Sequence, residues 1–237
     1  MNQRWRSKVL PTVIFMLGWL LVLYPQVAQV LNQRAQSAVV SELQARFQLE
    51  QRDLADLNEL ERINTVMLAR VQAPVNPADE SGVNPRTPAD SSALELLKAG
   101  LQGEAIATVE LPAVGLAQPV YYGATIANLR RGAALVEGTS FPLGGDSTHC
   151  VIAGHTGHAG AVLFNNLRYA TVGDVIYLAT IRERIAYRVI NVREIAPDQA
   201  EALTIQPGRD LCSLLTCTWR GSLQLRLLVT GERIPLP

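Results

Sequence analysis

From residue 106 onward the sequence consists of short apolar runs that are broken by Gly, Pro and Asp. We predict that seven of these runs form strands, at residues 106–111, 119–122, 149–153, 174–180, 185–192, 211–216 and 223–229. Many short strands at close spacing are typical of a β-barrel or a β-sandwich. The pattern therefore indicates a mainly-β domain.

The composition excludes several classes of function. The 237 residues include 21 Lys and Arg and 21 Asp and Glu, so the formal net charge is zero. This balance argues against a nucleic-acid binder that is held by bulk charge. The three cysteines have no C-x-x-C spacing, so they indicate neither a zinc ribbon nor a dithiol redox motif.

The amino terminus predicts a membrane anchor. Residues 1–8 carry three basic residues and no acid, and the 23 residues at 9–31 carry no charge. At about 1.5 Å per residue such a helix reaches roughly 34 Å, enough to cross a hydrocarbon core about 30 Å thick. Gln26 and Gln29 occupy the place where a signal-peptide cleavage site needs small residues, so we expect the anchor to stay uncleaved. The charge asymmetry predicts a cytoplasmic tail at residues 1–8 and an extracellular chain from about residue 32.

Three further regions are predicted beyond the anchor. Residues 32–72 read as an amphipathic helical stalk, because apolar residues recur at three- and four-residue steps without Gly or Pro from residue 38 to residue 71. The stalk either packs on the main domain or forms a coiled-coil dimer, although Glu50, Glu61 and Asn64 interrupt the heptads. Residues 73–92 contain four prolines and predict a linker or a flap. The main domain then covers residues 93–237 and opens with a short helical stretch around residues 92–99.

The three histidines fall within ten residues, which raises the question of a metal site. No Cys, Asp or Glu lies at a ligand-like spacing within residues 153–163, so the sequence does not favour one. His155 follows Gly154 at the end of a predicted strand, which suits an acid/base group because imidazole changes charge near neutral pH. A structural histidine is the alternative at this position, and we interpret His149 and His158 as structural or surface residues.

Cys217 and Arg226 are the other candidates for chemistry. Cys217 follows an apolar run, at a strand end where partial exposure would suit a nucleophile, whereas an isolated buried cysteine is usually structural. Arg226 lies inside the predicted strand 223–229. It is either part of a buried ion pair, a barrel-end arginine, or a charged donor for the oxyanion of an acyl transfer.

Together these residues resemble the sortases, the membrane-anchored cysteine transpeptidases of Gram-positive bacteria. The resemblance covers roughly residues 106–234 and includes Ser213-Leu-Leu-Thr-Cys217. The continuation to Arg233 is most similar to the class C, pilus-assembling subgroup. Further matching blocks stand in the expected order, and they begin at Val109, Pro119, Gly132, Thr148 and Leu163.

The resemblance implies a closed eight-stranded β-barrel with short helices and with His155, Cys217 and Arg226 at one end. Cys217 would cleave an LPxTG-like sorting signal after Thr and form a thioester, with His155 as acid and then base. Arg226 would steady the oxyanion, and Thr216 would contribute to substrate contact. The acyl group would pass to a pilin lysine amine, without a cofactor or metal.

Other readings stay open. A housekeeping-type sortase would attach surface proteins to a cell-wall amine instead of polymerising pilins, and a non-catalytic anchored scaffold would keep only the barrel. The expected partners are pilin or surface-protein substrates with LPxTG-like signals and, through residues 9–31, the lipid bilayer. No nucleic acid is expected.

The chain departs from the family pattern at three places, one of which is Ile234–Pro237, where many class C enzymes continue into a second membrane span. The Asp-Pro-aromatic lid motif of class C enzymes has no counterpart in residues 73–92. In addition, Cys150 and Cys212 stand where family members commonly have other small or apolar residues. Each lies five positions before a proposed catalytic residue, His155 and Cys217. If the two strands run parallel side by side, as the resemblance implies, these cysteines are level neighbours about 5 Å apart. They would form either a disulfide or two buried free thiols.

Overall fold

The computed structural model describes residues 101, 103–156, 164–180, 182–218 and 225–237, together with helical positions 13, 15, 16, 23, 27, 34, 38, 40–45, 58 and 60–65. The described strands form one closed barrel in the order β1-β2-β3-β4-β7-β8-β6-β5. They are β1 (Ala105–Leu111), β2 (Leu116–Tyr122), β3 (Ala133–Leu135), β4 (Thr148–Ala153), β5 (Val175–Thr180), β6 (Arg184–Ile195), β7 (Asp210–Cys217) and β8 (Arg226–Ile234). The predicted mainly-β, closed eight-stranded barrel is confirmed.

Short helices connect some of the strands. An α-helix covers Ile126–Arg131, and 3-10 helices cover Pro112–Val114, Asn165–Tyr169 and Ala200–Leu203. Thr125 caps the α-helix by accepting a hydrogen bond from the backbone N–H of Asn128 at 3.2 Å. Because a hydroxyl at this position satisfies a free N–H of the first turn, the sequence itself marks where the helix begins.

The core lies inside the barrel and follows from alternation along the strands. On β5, Ile176 and Leu178 are fully buried, and their register partners on β6, Tyr187 and Ile185, are fully buried as well. Inward apolar residues that pair across strands remove the largest area from water, and closure of the barrel leaves no sheet edge unpaired.

The parallel pairing of β4 with β7 matters most for the site. In this pair Cys150 is level with Cys212, and Ala153 is level with Leu215. The remaining neighbours of these two strands, β3 and β8, run antiparallel to them. The carboxyl ends of β4 and β7 therefore lie at the same end of the barrel.

Several strand bounds differ from the sequence predictions: for example, β2 begins at Leu116 instead of residue 119, and β6 ends at Ile195 instead of residue 192. Strand β3 was not predicted, because three residues, two of them alanine, give too short an alternation to detect. Strand β8 begins at Arg226 rather than at residue 223, and Leu225 precedes it outside any strand. Arg226 is therefore not inside an apolar strand; it is the first residue of a strand at the barrel end.

The described part of the predicted stalk is helical and contacts the barrel. Ile63 is buried within the barrel's hydrophobic cluster, and Glu61 forms an ion pair with Arg182. Asn64 is buried too: its Oδ1 accepts a hydrogen bond from the backbone N–H of Phe141 at 2.8 Å. Of the two readings of the stalk, packing on the main domain is the one that these contacts support.

Four other predicted regions lie wholly or mostly outside the described residues. None of residues 1–8, 73–92 and 93–99 is described, so the predicted tail, flap and short helical stretch lie outside them. Of residues 9–31, five helical positions are described. Among the helices of the described residues, none is both long and apolar enough to cross a membrane.

Candidate active site

Cys217 and Arg226 face each other across two antiparallel strands. Cys217 is the last residue of β7, Arg226 is the first residue of β8, and the two are register partners. The guanidinium Nη1 of Arg226 donates a hydrogen bond to Cys217 Sγ at 3.1 Å, and Cys217 is exposed. The structure thus sets a guanidinium donor directly against an accessible sulfur, the atom of cysteine that acts as a nucleophile.

His155 comes to the same end of the barrel through the parallel β4–β7 pair. It lies two residues beyond Ala153, just as Cys217 lies two residues beyond Leu215, and Ala153 and Leu215 are level. The backbone N–H of Gly154 extends the pairing by donating to the Leu215 carbonyl at 3.0 Å. The register therefore leads the chain at His155 to the end of the barrel at which Cys217 lies. The structure thus brings the three predicted catalytic residues to one place.

Gly154, which precedes His155, is required by packing. A Cβ added to it would lie 2.4 Å from the Phe164 ring, and Phe164 is fully buried. Phe164 also donates its backbone N–H to the His155 carbonyl at 3.0 Å. The glycine therefore lets an aromatic ring pack directly against the backbone that carries the histidine, a reason that the sequence pattern alone does not show.

A cavity of about 620 Å³ opens beside Cys217. Its apolar lining includes Phe164, Val192 and Leu227, and its charged lining includes Arg168, Arg193 and Glu194. The guanidinium of Arg168 also stacks on the ring of Tyr169 at 4.7 Å. The space is large enough for several residues of an extended peptide whose reacting carbonyl reaches the sulfur.

Thr216 is buried, and its hydroxyl donates to the Gly154 carbonyl at 2.6 Å. It also lines the cavity beside Cys217. Its predicted contact with substrate stays a prediction. Thr156 was not among the predicted site residues. Its hydroxyl oxygen lies 3.4 Å from that of Thr216. Its only sequence signal is its place in the Gly-His-Thr-Gly run that contains His155.

Cys150 on β4 and Cys212 on β7 are level partners, as predicted, and both are buried free thiols. Of the two predicted alternatives, the structure holds the free thiols and not the disulfide. A hydrogen bond with the Cys150 thiol, together with burial, raises the pKa of Cys212 well above its ordinary value. Neither sulfur reaches the surface, so Cys217 is the accessible thiol of the three.

His149 has a structural role, as predicted. Its side chain is buried, Nδ1 donates to the Thr204 carbonyl at 2.9 Å, and Nε2 accepts from the Ser213 hydroxyl at 2.8 Å. Burial lowers the pKa of His149, with a smaller contribution in the same direction from the charge of Arg209 and an opposing one from the Thr204 carbonyl. The imidazole is thus held neutral. His158 lies outside the described residues.

Comparisons with known proteins agree with this geometry. The Sortase domain family matches residues 109–234, which is 126 of the 237 residues. Sortase A of Bacillus anthracis is 30% identical over 131 residues, a match that covers 55% of this chain and 60% of that relative. The chain therefore spans less than two thirds of that curated relative.

Two solved structures are similar over most of their length. Sortase C1 of GBS Pilus Island 1 is 33% identical, with a TM-score of 0.67, over 88% of this chain and all of that one. Sortase C of Clostridium perfringens, solved with the C-terminal cell wall sorting motif, is 28% identical, with a TM-score of 0.65, over 84% of this chain and all of that one. With its barrel, its family match and its likeness to class C structures, the chain belongs to the sortase family.

Proposed function

We propose that this chain is a cysteine transpeptidase that cleaves an LPxTG-like sorting signal between Thr and Gly. The observation that carries the proposal is the 3.1 Å hydrogen bond from Arg226 to the exposed sulfur of Cys217, beside His155 and at the mouth of a cavity. The similar C. perfringens sortase C, solved with a cell wall sorting motif, supports this class of substrate.

In the first half-reaction the Cys217 thiolate attacks the carbonyl carbon of the signal's Thr. Arg226 donates hydrogen bonds to the oxyanion that forms. Because its side chain is already in position before the reaction begins, it stabilises this charge without a rearrangement. The C–N bond to Gly then breaks, His155 gives a proton to the leaving amine, and the acyl group stays on Cys217 as a thioester.

In the second half-reaction an amine attacks the thioester carbonyl, and His155 takes a proton from that amine. The new C–N bond forms as the bond to sulfur breaks, which restores the Cys217 thiolate. We assign the amine to a lysine side chain of a pilin, which gives an isopeptide bond. The similarity to a sortase C1 from a pilus island supports this acceptor.

The chain is anchored through residues 9–31, with the barrel outside the cell. The uncharged stretch supports this, as do five described positions within it that are helical and expose apolar side chains: Val13, Phe15, Met16, Leu23 and Val27. A membrane-impermeant thiol reagent should therefore label Cys217 on intact cells. Protection of Cys217 until the cells are lysed would contradict this orientation.

A competition between acceptors tests the reaction. The full-length chain in detergent is mixed with an LPxTG peptide and two acceptors. One acceptor is a pilin-derived peptide that contains lysine, and the other is a peptide with an amino-terminal glycine that imitates a cell-wall amine. We expect the product to join the signal's Thr to the lysine side chain, and the Cys217→Ala variant to give none. Transfer only to the glycine amine would favour the housekeeping reading, whereas a product that persists in Cys217→Ala would exclude the proposed mechanism.

A further inference from the structure

The ends of β4 and β7 are joined by two threonine side chains that lie beyond the last pair of the ladder. Thr216, on β7, donates its hydroxyl to the carbonyl of Gly154, which follows β4, at 2.6 Å. Thr156, two residues after Gly154, donates its hydroxyl to the carbonyl of Cys217 at 2.8 Å. Each of the two chain segments therefore supplies a threonine hydroxyl that binds a backbone carbonyl of the other segment.

The two contacts bracket the catalytic residues. His155 lies between Gly154, which accepts one bond, and Thr156, which donates the other. Cys217 directly follows Thr216, and its own carbonyl is the second acceptor. The two hydroxyl oxygens are 3.4 Å apart, so the contacts form one unit, which we call the threonine clasp.

The position of the clasp matters because regular pairing ends just before it. The last level pair is Ala153 with Leu215, followed by one backbone hydrogen bond from Gly154 to Leu215. Beyond that pair, the side-chain hydroxyls of Thr156 and Thr216 connect the segment that carries His155 to the end of β7.

We infer that Thr156 and Thr216 are positioning residues, which set the distance between His155 and Cys217 for the proton transfers of the transpeptidation. This inference rests on the proposed function. A misplacement of about 1 Å between reacting groups can cost about 100-fold in rate, so a hydrogen bond that sets this distance affects catalysis.

A comparison of Thr156→Val with Thr156→Ser distinguishes the effect of the hydroxyl from the effect of the side chain's shape. Val keeps the shape and removes the donor, whereas Ser keeps the donor. For Thr156→Val we expect kcat with an LPxTG peptide to fall about 10- to 100-fold while KM changes less than about 3-fold. Thr156→Ser should stay within about 3-fold of the wild type in both constants.

Thr65 offers a matched control, because its hydroxyl also donates to a backbone carbonyl, that of Glu61 at 3.0 Å, on an exposed helix. Thr65→Val should leave kcat unchanged. The inference is overturned if Thr156→Val keeps the wild-type kcat, if it raises only KM, or if Thr156→Ser fails to rescue the rate.

A second measurement needs no substrate and separates the clasp from the proposed function. Iodoacetamide modifies Cys217 in the native protein, whereas Cys150 and Cys212 are buried. We expect Thr156→Val to slow this modification several-fold at fixed pH, because His155 is no longer held beside the sulfur, and Thr156→Ser to restore it. If Thr156→Val slows the modification but wild-type Cys217 forms no thioester with any LPxTG peptide, the proposed function is refuted and the clasp is supported. An unchanged modification rate would refute the clasp.

Discussion

The nucleophile and its charged partner are fixed by backbone pairing. Cys217 and Arg226 close the β7–β8 pair, so their side chains meet at 3.1 Å without the help of a flexible loop. Arginine suits this place because its guanidinium stays charged and presents several donors, one for the sulfur and others for an oxyanion. The register of the strands therefore controls the electrostatics of the reaction.

His149 gives the fold a dependence on pH that is separate from catalysis. Burial lowers its pKa below the ordinary value of about 6.5, so the unfolded chain binds a proton in a range where the folded chain does not. The contribution of His149 to stability is complete above about pH 6.5 and is lost as the pH falls below it toward the lowered pKa. The slope cannot exceed about 1.4 kcal/mol per pH unit for one proton.

Urea unfolding of the full-length chain between pH 7.5 and pH 5.5 checks this expectation against His149→Gln, which does not titrate. The wild type should lose more stability than the variant over this range, even if the variant is less stable at pH 7.5. Equal losses in the two proteins would show that His149 does not carry the effect.

The parallel β4–β7 pair is the element that assembles the site, and much of it could be predicted from sequence. Both strands have apolar runs long enough to detect, and the observed bounds differ from the predicted ones by one residue at β4 and by one at each end of β7. Strand β3 and the start of β8 could not be found in this way. The bounds of β3 and the first residue of β8 depend on pairing with neighbouring strands, in which Ala133 and Arg226 take part. The alternation of apolar residues along β3 and β8 does not indicate these positions.

Asn64 connects the helical segment 60–65 to the barrel, although in the sequence it interrupts the heptad pattern. Asn64 pairs with the backbone of buried Phe141, so Asn64→Ala leaves that N–H without its partner. We expect a loss of about 1–3 kcal/mol in the free energy of unfolding. Asn58→Ala provides the control, since Asn58 is exposed on the same part of the chain and should change stability by less than about 0.5 kcal/mol.

Chemical denaturation of the two variants side by side measures this difference. If Asn64→Ala is as stable as Asn58→Ala, the hydrogen bond between Asn64 and Phe141 does not contribute to the stability of the barrel. A selective loss in Asn64→Ala would mean that the barrel and segment 60–65 unfold together.

For the molecule as a whole, the family resemblance predicted the closed barrel and the three residues at its end. It did not predict Thr156 or Asn64. Both act on the backbone of a residue distant in sequence, Thr156 on Cys217 and Asn64 on Phe141, and neither belongs to a local pattern. Contacts of this kind depend on the assembled fold, so a single sequence carries no direct signal for them.

The whole proposal depends on one covalent intermediate. The measurement to make first is the intact mass of the full-length chain after incubation with an LPxTG peptide, beside the Cys217→Ala variant. We predict an adduct equal to the peptide cleaved after Thr, which hydroxylamine releases as expected for a thioester and which the variant lacks. An adduct that also forms on Cys217→Ala, or cleavage of the peptide without any adduct on Cys217 under conditions that trap the intermediate, would contradict acyl transfer through this cysteine.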